Sequence, residues 1–288
     1  MKKIDVGILG GDDRQLELIN SLYKEGHNLY ITGFDKAISQ IPTLNYNIQE
    51  MLNKSNYVVL PIPVSRDEIY FNTPFSEFKT PINGCVAQMT DKKIFCFDSN
   101  KITKICPNFS NCKYYDFAKN EKFILENAKI TAECAIELAE KELTVGNLKN
   151  ANVLICGFGR IGKHLVNLLT TGTARLTATA RQAKHISQIK ERGVNAIYTQ
   201  DLKEASGFDI IFNTIPYQIF NEDTLKTTAK NALIIDLASA PGGVDMNAAE
   251  KTNVKVIQAL GLPGKMAPNK SANLIKDTIL EVIEANVL

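Results

Sequence analysis

The chain has no tryptophan and only three histidines, His27, His164 and His185, scattered too widely to form a ligand set. Its six cysteines follow no metal spacing. There is no C-x-x-C, and the closest pair, Cys106 and Cys112, has five residues between them. Buried reduced thiols are therefore the expected state, with no disulfide framework and no metal. No apolar run reaches the ~18–20 residues of a membrane span. The start, Met1-Lys2-Lys3-Ile4-Asp5, lacks the long apolar core of a secretory signal, so a cytoplasmic location is expected. Thirty-three Lys and Arg against thirty-one Asp and Glu give a net charge of +2. That excludes a charge-driven nucleic-acid binder, and no membrane role is expected. Arginine is scarce, with six in all: Arg14, Arg66, Arg160, Arg175, Arg181 and Arg192.

What is present is ordinary soluble-protein material. The length is 288 residues, with 44% hydrophobic and 22% charged. At ~100–200 residues per domain this suggests two domains. Ile4 to Leu9 reads as a strand, Gly10-Gly11 as a turn, and Leu16, Ile19, Leu22 and Tyr23 as a helical stripe. Further strand runs are Leu29 to Thr32, Tyr57 to Leu60 and Ile94 to Phe97. Pro61-Ile62-Pro63 stops the second of these. From Phe71 to Thr90 loops with little regular structure are expected. Phe123, Ile124, Ala128, Thr131, Ala135 and Leu138 predict a long helix from about 120 to 143, with Gly146 at or just beyond its end.

A second α/β pattern follows. Val153 to Cys156 reads as a buried strand, and Leu176 to Ala180 as the next. Ile210 to Phe212, Leu233 to Ile235 and Val254 to Ile257 continue the series. Leu274, Ile275, Ile279, Val282 and Ile283 predict a terminal amphipathic helix. The alternation predicts two Rossmann-like α/β domains with parallel sheets, joined by the long helix. The C-terminal helix is expected to pack back on the first domain. The expected boundaries are 1–120, the linking helix 121–146, the nucleotide-binding domain 147–270 and the terminal helix 271–288.

The motif that carries chemistry is Gly157-Phe158-Gly159-Arg160-Ile161-Gly162, set between strand and helix. Gly157 makes the tight turn, Gly159 admits a pyrophosphate, and Gly162 lets helix and strand pack closely. The helix N-terminus offers N–H groups to the phosphates. An NAD site places an acid at the end of the second strand. Here the residues are Thr179-Ala180-Arg181-Gln182. Arg181 would meet a 2′-phosphate, with Lys184 and Arg160 close enough to assist. NADP is therefore the expected cofactor. Two later strand-end loops, Asn213-Thr214-Ile215-Pro216 and Asp236-Leu237-Ala238-Ser239, are positioned for the ribose and nicotinamide. Leu260-Gly261-Leu262-Pro263-Gly264-Lys265 adds a Gly- and Pro-rich wall, with Gly261 and Pro263 at the cofactor.

The first glycine turn, Gly10-Gly11-Asp12-Asp13-Arg14-Gln15, lacks the third glycine, and its carboxylates repel a pyrophosphate. No second dinucleotide site is expected. Arg14 is a candidate for binding a substrate carboxylate, or else pairs with Asp12 or Asp13. Ser65-Arg66 is a second candidate rim.

These motifs together resemble the A-subunit family of dipicolinate synthase from spore-forming bacteria. The resemblance rests on Gly10 to Glu17, on Glu126-Asn127-Ala128 with Thr131-Ala132-Glu133, and on the glycine loop at 157–162. It continues through Phe212 to Pro216, Ile235 to Ser239, Pro241-Gly242-Gly243, Gly261 to Lys265 and Ala267-Pro268. The match is close over 120–275, good at the start, and poor from about 35 to 115, where the chain looks shortened. The resemblance implies an NADP-dependent oxidoreductase working with a flavoprotein, the dipicolinate synthase B-subunit, in the mother cell during sporulation. The reaction would oxidise dihydrodipicolinate, or its hydrated precursor, to dipicolinate. Glu133 and Lys265 are the candidate proton-transfer residues. Arg14 and Thr131 are the candidates for the small dicarboxylate substrate. A homo-oligomer is expected. The alternatives are another NADP-dependent dehydrogenase of a small hydroxy or keto acid, and a non-catalytic NADP-binding subunit.

Overall fold

The computed structural model describes residues 3–143, 148–173, 175–202, 206–239 and 241–286. Gly146 lies outside them. The chain divides into two compact units, Met1–Asn127 with Gly264–Leu288, and Ala128–Pro263.

The first unit holds β1 (Asp5–Leu9), α1 (Asp13–Lys24), β2 (Asn28–Thr32), α2 (Ile48–Lys54), β3 (Tyr57–Val59), α3 (Ile82–Val86), β4 (Lys93–Cys96), α4 (Ser99–Ile105) and β5 (Lys113–Asp116). All strand pairs are parallel, in the order β2-β1-β3-β4-β5. Alternate residues of β1 feed opposite faces, as a two-residue period requires. Val6 and Ile8 join the core under α1, while Leu9 joins the one under α2, α3 and α4. Asp12 caps α1 in a reciprocal arrangement with Gln15.

α5 (Glu121–Glu142) starts in the first unit and continues into the second. The second unit then contains β6 (Asn152–Cys156), α6 (Arg160–Leu169), β7 (Arg175–Ala180), α7 (Ala183–Lys190), β8 (Asn195–Tyr198), β9 (Ile210–Asn213), α8 (Glu222–Thr227), β10 (Leu233–Asp236), α9 (Met246–Thr252) and β11 (Lys255–Gln258). Its six-stranded parallel sheet runs β11-β10-β9-β6-β7-β8. This is the doubly wound arrangement, with its switch point between β6 and β9.

α10 (Leu262–Met266) leads to α11 (Pro268–Glu284), which packs on α1 in the first unit. Ala272, Ile275, Ile279 and Val282 enter the same core as Leu18, Ile19 and Leu22. Lys276 pairs with Glu25, and Lys122 with Glu281 at 2.6 Å. The terminal helix thus returns to the first domain, as expected. The segment from Phe71 to Thr90 differs from expectation in one place. It contains the five-residue α3, whose Ile82, Cys85 and Val86 are buried. A single helical turn is too short to show a periodic stripe. Among the described residues no helix is long and apolar enough to cross a membrane.

Candidate functional site

The carboxyl end of β6 carries the glycine loop, and each glycine there has a distinct reason. Gly157 has φ +100°, and a Cβ on it would strike Thr214 Oγ1 and come within 3.0 Å of Ile215. Gly162 packs so tightly that a Cβ would land on the Gly157 carbonyl oxygen. Gly159 differs, because a Cβ there meets nothing within 4 Å. Packing therefore explains two glycines, and the third borders open space, as close approach of a phosphate group requires. Gly159 is also the N-cap of α6 and makes no side-chain capping bond. The first N–H groups of that helix have no side-chain cap competing with an anion.

The loop is tied down from both sides. The Gly157 N–H donates to Thr179 Oγ1 on β7 at 3.2 Å. The Thr214 N–H and hydroxyl both donate to the Cys156 carbonyl at 2.9 Å. Phe158 is buried against the His185 ring, edge-on at 5.7 Å. The Lys163 ammonium and Arg192 guanidinium lie 5.6 and 5.8 Å from the Phe158 ring centre. The Phe158–His185 contact holds the start of α7 against the glycine loop.

At the end of β7, Ala180 is buried and Arg181, Gln182 and Lys184 are exposed. Arg181 and Lys184 make no ion pair among the described residues. No carboxylate occupies the position that would hold a ribose 2′-hydroxyl.

The two loops after β9 and β10 are joined by a buried network. Asn213 Nδ2 donates to Asp236 Oδ1 at 2.8 Å and to the Ile215 carbonyl at 3.2 Å. Asn213 Oδ1 accepts from the Ile215 N–H at 3.2 Å. Asp236 also accepts from the N–H groups of Ala238 and Gly243, at 3.2 and 3.0 Å. A Cβ at Gly243 would collide with the Asn213 amide. Asn213 and Leu237 are both buried, while Thr214, Ile215 and Pro216 reach the surface in part or whole. Gly261 is exposed with φ +69°, and Pro263 is buried in α10. The roles of Asp236 and Gly243 in this network are not evident from the sequence reading. A signal was present, since an acid directly after an apolar strand run and a Gly-Gly pair are both visible there.

In the first unit, the Gly10-Gly11 turn is filled. The Gly11 N–H donates to the Asn72 carbonyl at 2.9 Å, and a Cβ on Gly10 would meet Thr73. The Gln15 side chain covers Gly11. Arg14 is held bidentately by Asp12, with Nε at 2.9 Å and Nη2 at 2.7 Å. Nη2 also donates to the Ile62 carbonyl at 2.6 Å. Nη1 has no partner among the described residues. So Arg14 does pair with Asp12, and that pairing leaves Nη1 unused. Gly264 lies against this pair, because a Cβ there would come within 2.8 Å of Arg14 Nε and 2.9 Å of Asp12 Oδ2. Lys265 follows Gly264, so the fold sets it one residue from a neighbour of Arg14. Thr131 and Glu133 lie on the part of α5 that belongs to the second unit.

Known proteins share this plan. Residues 5–118 match the N-terminal domain family of the dipicolinate synthase A-subunit. Residues 121–258 match the NAD-binding domain of D-isomer specific 2-hydroxyacid dehydrogenases, which makes the second unit a pyridine-nucleotide-binding domain of dehydrogenase type. The dipicolinate synthase A-subunit of Bacillus subtilis (strain 168) is 28% identical over 285 residues, covering 97% of this chain and 96% of the relative. The crystal structure of the Bacillus subtilis A-subunit superposes with TM-score 0.83 at 27% identity, over 99% of this chain and 97% of that one. The A-subunit structure from Bacillus halodurans gives 0.80 at 25% identity, over 96% of both chains. The stretch from 35 to 115, where the motifs fade, lies inside the first family match. Near-complete coverage of both sequences leaves little room for the shortening expected there. Over 97% of its length, the chain is similar to the dipicolinate synthase A-subunit.

Proposed function

We propose that the chain is the NADP-binding subunit of a dipicolinate-forming oxidoreductase. Its reaction would be the two-electron oxidation of dihydrodipicolinate, or of the hydrated precursor, to dipicolinate. The observation that carries this reading is the likeness to the dipicolinate synthase A-subunit along 97% of the chain. The glycine loop supports it, with open space at Gly159 ahead of an uncapped helix.

The cofactor, when bound, supplies the hydride acceptor. The protein's own groups bind, orient and move a proton. Gly157, Phe158, Gly159, Arg160, Ile161 and Gly162 form the pyrophosphate loop. Ala180 and Arg181 receive the adenosine end, and Lys184 adds positive charge. The absence of an acid after β7 supports NADP over NAD. Asn213 shapes the loops that carry Thr214, Ile215, Pro216 and Leu237 to the nicotinamide side, with Gly261 and Pro263 beyond them. Arg14 Nη1 and Thr131 are the candidates for the substrate carboxylates. Glu133 and Lys265 are the candidates for accepting the ring proton. Aromatisation drives the reaction, so orientation of the two rings is the main demand on the protein.

The partner in this reading is the flavoprotein B-subunit, and the setting is the mother cell during sporulation. Self-association into a homo-oligomer is part of the same reading. The test is turnover of freshly generated dihydrodipicolinate, followed by dipicolinate absorbance, with NADP or NAD and with or without the flavoprotein. Product that depends on NADP is the expected result. A chain that binds NADP but forms no dipicolinate under any combination overturns the assignment. Activity on a small 2-hydroxy acid instead would favour the dehydrogenase alternative, whose support is the match of residues 121–258.

A further inference from the structure

The first unit has its own switch point. Its strand order reverses between β1 and β3, and a ligand crevice is expected beyond the carboxyl ends of those strands. Two arginines stand at that edge. Arg14 is fixed by Asp12 and the Ile62 carbonyl and leaves Nη1 without a partner among the described residues. Arg66 follows Ile62 by four residues, at most ~14 Å of chain. It is exposed, and its one hydrogen bond among the described residues runs from Nε to Asn72 Oδ1 at 3.2 Å. Both of its Nη groups have no partner among the described residues. The adjacent acid makes no ion pair with it among the described residues; Asp67 Oδ1 instead accepts from the Ser65 hydroxyl and from the Ile69 and Tyr70 N–H groups.

Asn72 is the unusual member. It is 6% exposed, and its Nδ2 is buried with no hydrogen-bond partner. Its backbone joins the two arginine-bearing segments. The Asn72 N–H donates to the Val64 carbonyl, and its carbonyl accepts from the Gly11 N–H, both at 2.9 Å. An apolar side chain could fill the same space without leaving a buried donor unpaired. Among the described residues, the only side-chain bond Asn72 makes is the one that orients Arg66. Retaining an unsatisfied amide for a bond to a surface guanidinium makes sense if that guanidinium has to be held in place.

We propose that Arg66, positioned by Asn72, binds the second carboxylate of the substrate, with Arg14 at the first. Two guanidinium groups beyond the carboxyl ends of β1 and β3, each with a nitrogen that has no partner among the described residues, suit a rigid dianion better than a monoanion. This inference rests on the dicarboxylate reading above and adds to it a selectivity determinant.

The test compares dipicolinate with picolinate, which has one carboxylate, by calorimetric titration of the full chain. The wild type should bind dipicolinate more tightly. Arg66→Ala should weaken dipicolinate roughly 10- to 100-fold while leaving picolinate and NADP affinity unchanged. Its exposed position predicts an unaltered melting temperature. Asn72→Ala should act in the same direction but more weakly, since the guanidinium remains. A preference for dipicolinate that survives Arg66→Ala overturns the role of Arg66 and leaves the proposed function standing. A wild type that binds neither acid removes the dicarboxylate reading and this inference with it.

Discussion

Asn213 Nδ2 and Asp236 Oδ1 meet at 2.8 Å between the carboxyl ends of β9 and β10, where both residues are buried. The bond joins two loops that the proposed function assigns to the nicotinamide side. Asp236 also receives the Ala238 and Gly243 N–H groups. Asp236→Ala leaves three donors without this acceptor and should destabilise the second unit by about 3 kcal/mol. Cofactor affinity should fall as well, because both loops lose their fixed shape. Chemical denaturation together with cofactor titration checks the two effects. Unchanged cofactor binding would detach this network from the site.

The glycine loop offers a matched pair of alanine variants. Gly162→Ala drives a Cβ into the Gly157 carbonyl, a backbone atom that cannot swing aside. Loss of stability and of cofactor binding should follow together. Gly159→Ala meets no protein atom, and Gly159 has an ordinary φ of −78°. Its stability should stay within about 0.5 kcal/mol of wild type, while cofactor affinity drops at least roughly tenfold. Full affinity in Gly159→Ala would show that nothing approaches the loop there.

Arg181→Ala addresses the choice of dinucleotide. A charged hydrogen bond to a 2′-phosphate contributes ~1.5–3 kcal/mol, so NADP(H) should bind roughly 10- to 150-fold more weakly. NAD(H) should change little. Equal losses for the two cofactors would argue against a 2′-phosphate contact.

Asp116, at the end of β5, gives a pH-dependent expectation. Burial works to raise its carboxyl, but hydrogen bonds from Ser99, Ala118 and Asp98 outweigh this and hold it below the ordinary carboxylate value. A carboxylate lowered by folding stabilises the native state above its unfolded pKa, and this stabilisation is lost as pH falls through the lowered value. Asp116→Asn should therefore lose about 2 kcal/mol at neutral pH. The gap to wild type should persist at about pH 5 and close only below about pH 4. A gap that closes above about pH 5 would contradict a lowered carboxyl.

The thiols should be unreactive in the native protein. All six cysteines are free and buried. Burial pushes the Cys85 thiol up to about 12 and raises Cys96 and Cys156 as well. An aromatic disulfide reagent at about pH 8 should therefore react slowly before unfolding and titrate all six afterwards. Rapid reaction of any one would identify an accessible thiolate.

Much of the fold was legible in the chain. β1, β6, β9 and β10 are buried on both faces for most of their length, so their apolar runs are easily seen, and β7, equally buried, alternates threonine with Leu176, Ala178 and Ala180. The strands with no clear sequence signal, β5 and β8, are sheet edges. Lys113 and Asn195 open them, and neither has a run of aliphatic residues. The short α2 and α4, at seven residues each, leave little trace in the sequence because two turns barely establish a stripe.

The sequence alone determined the nucleotide-binding unit, because a turn, a close approach and a tight packing contact each require glycine at fixed offsets. It also determined the lack of an acid after β7, a matter of identity at one position. Tertiary structure alone decided how Arg14 is used. Its neighbours Ile62 and Gly264 are 48 and 250 residues away, and no local pattern encodes contacts at that separation. The same holds for the backbone bond from Gly11 to Asn72 and for the side chains of Asn213 and Asp236. Polar side chains have no periodicity to betray them, and only the folded chain shows which acceptor each donor meets.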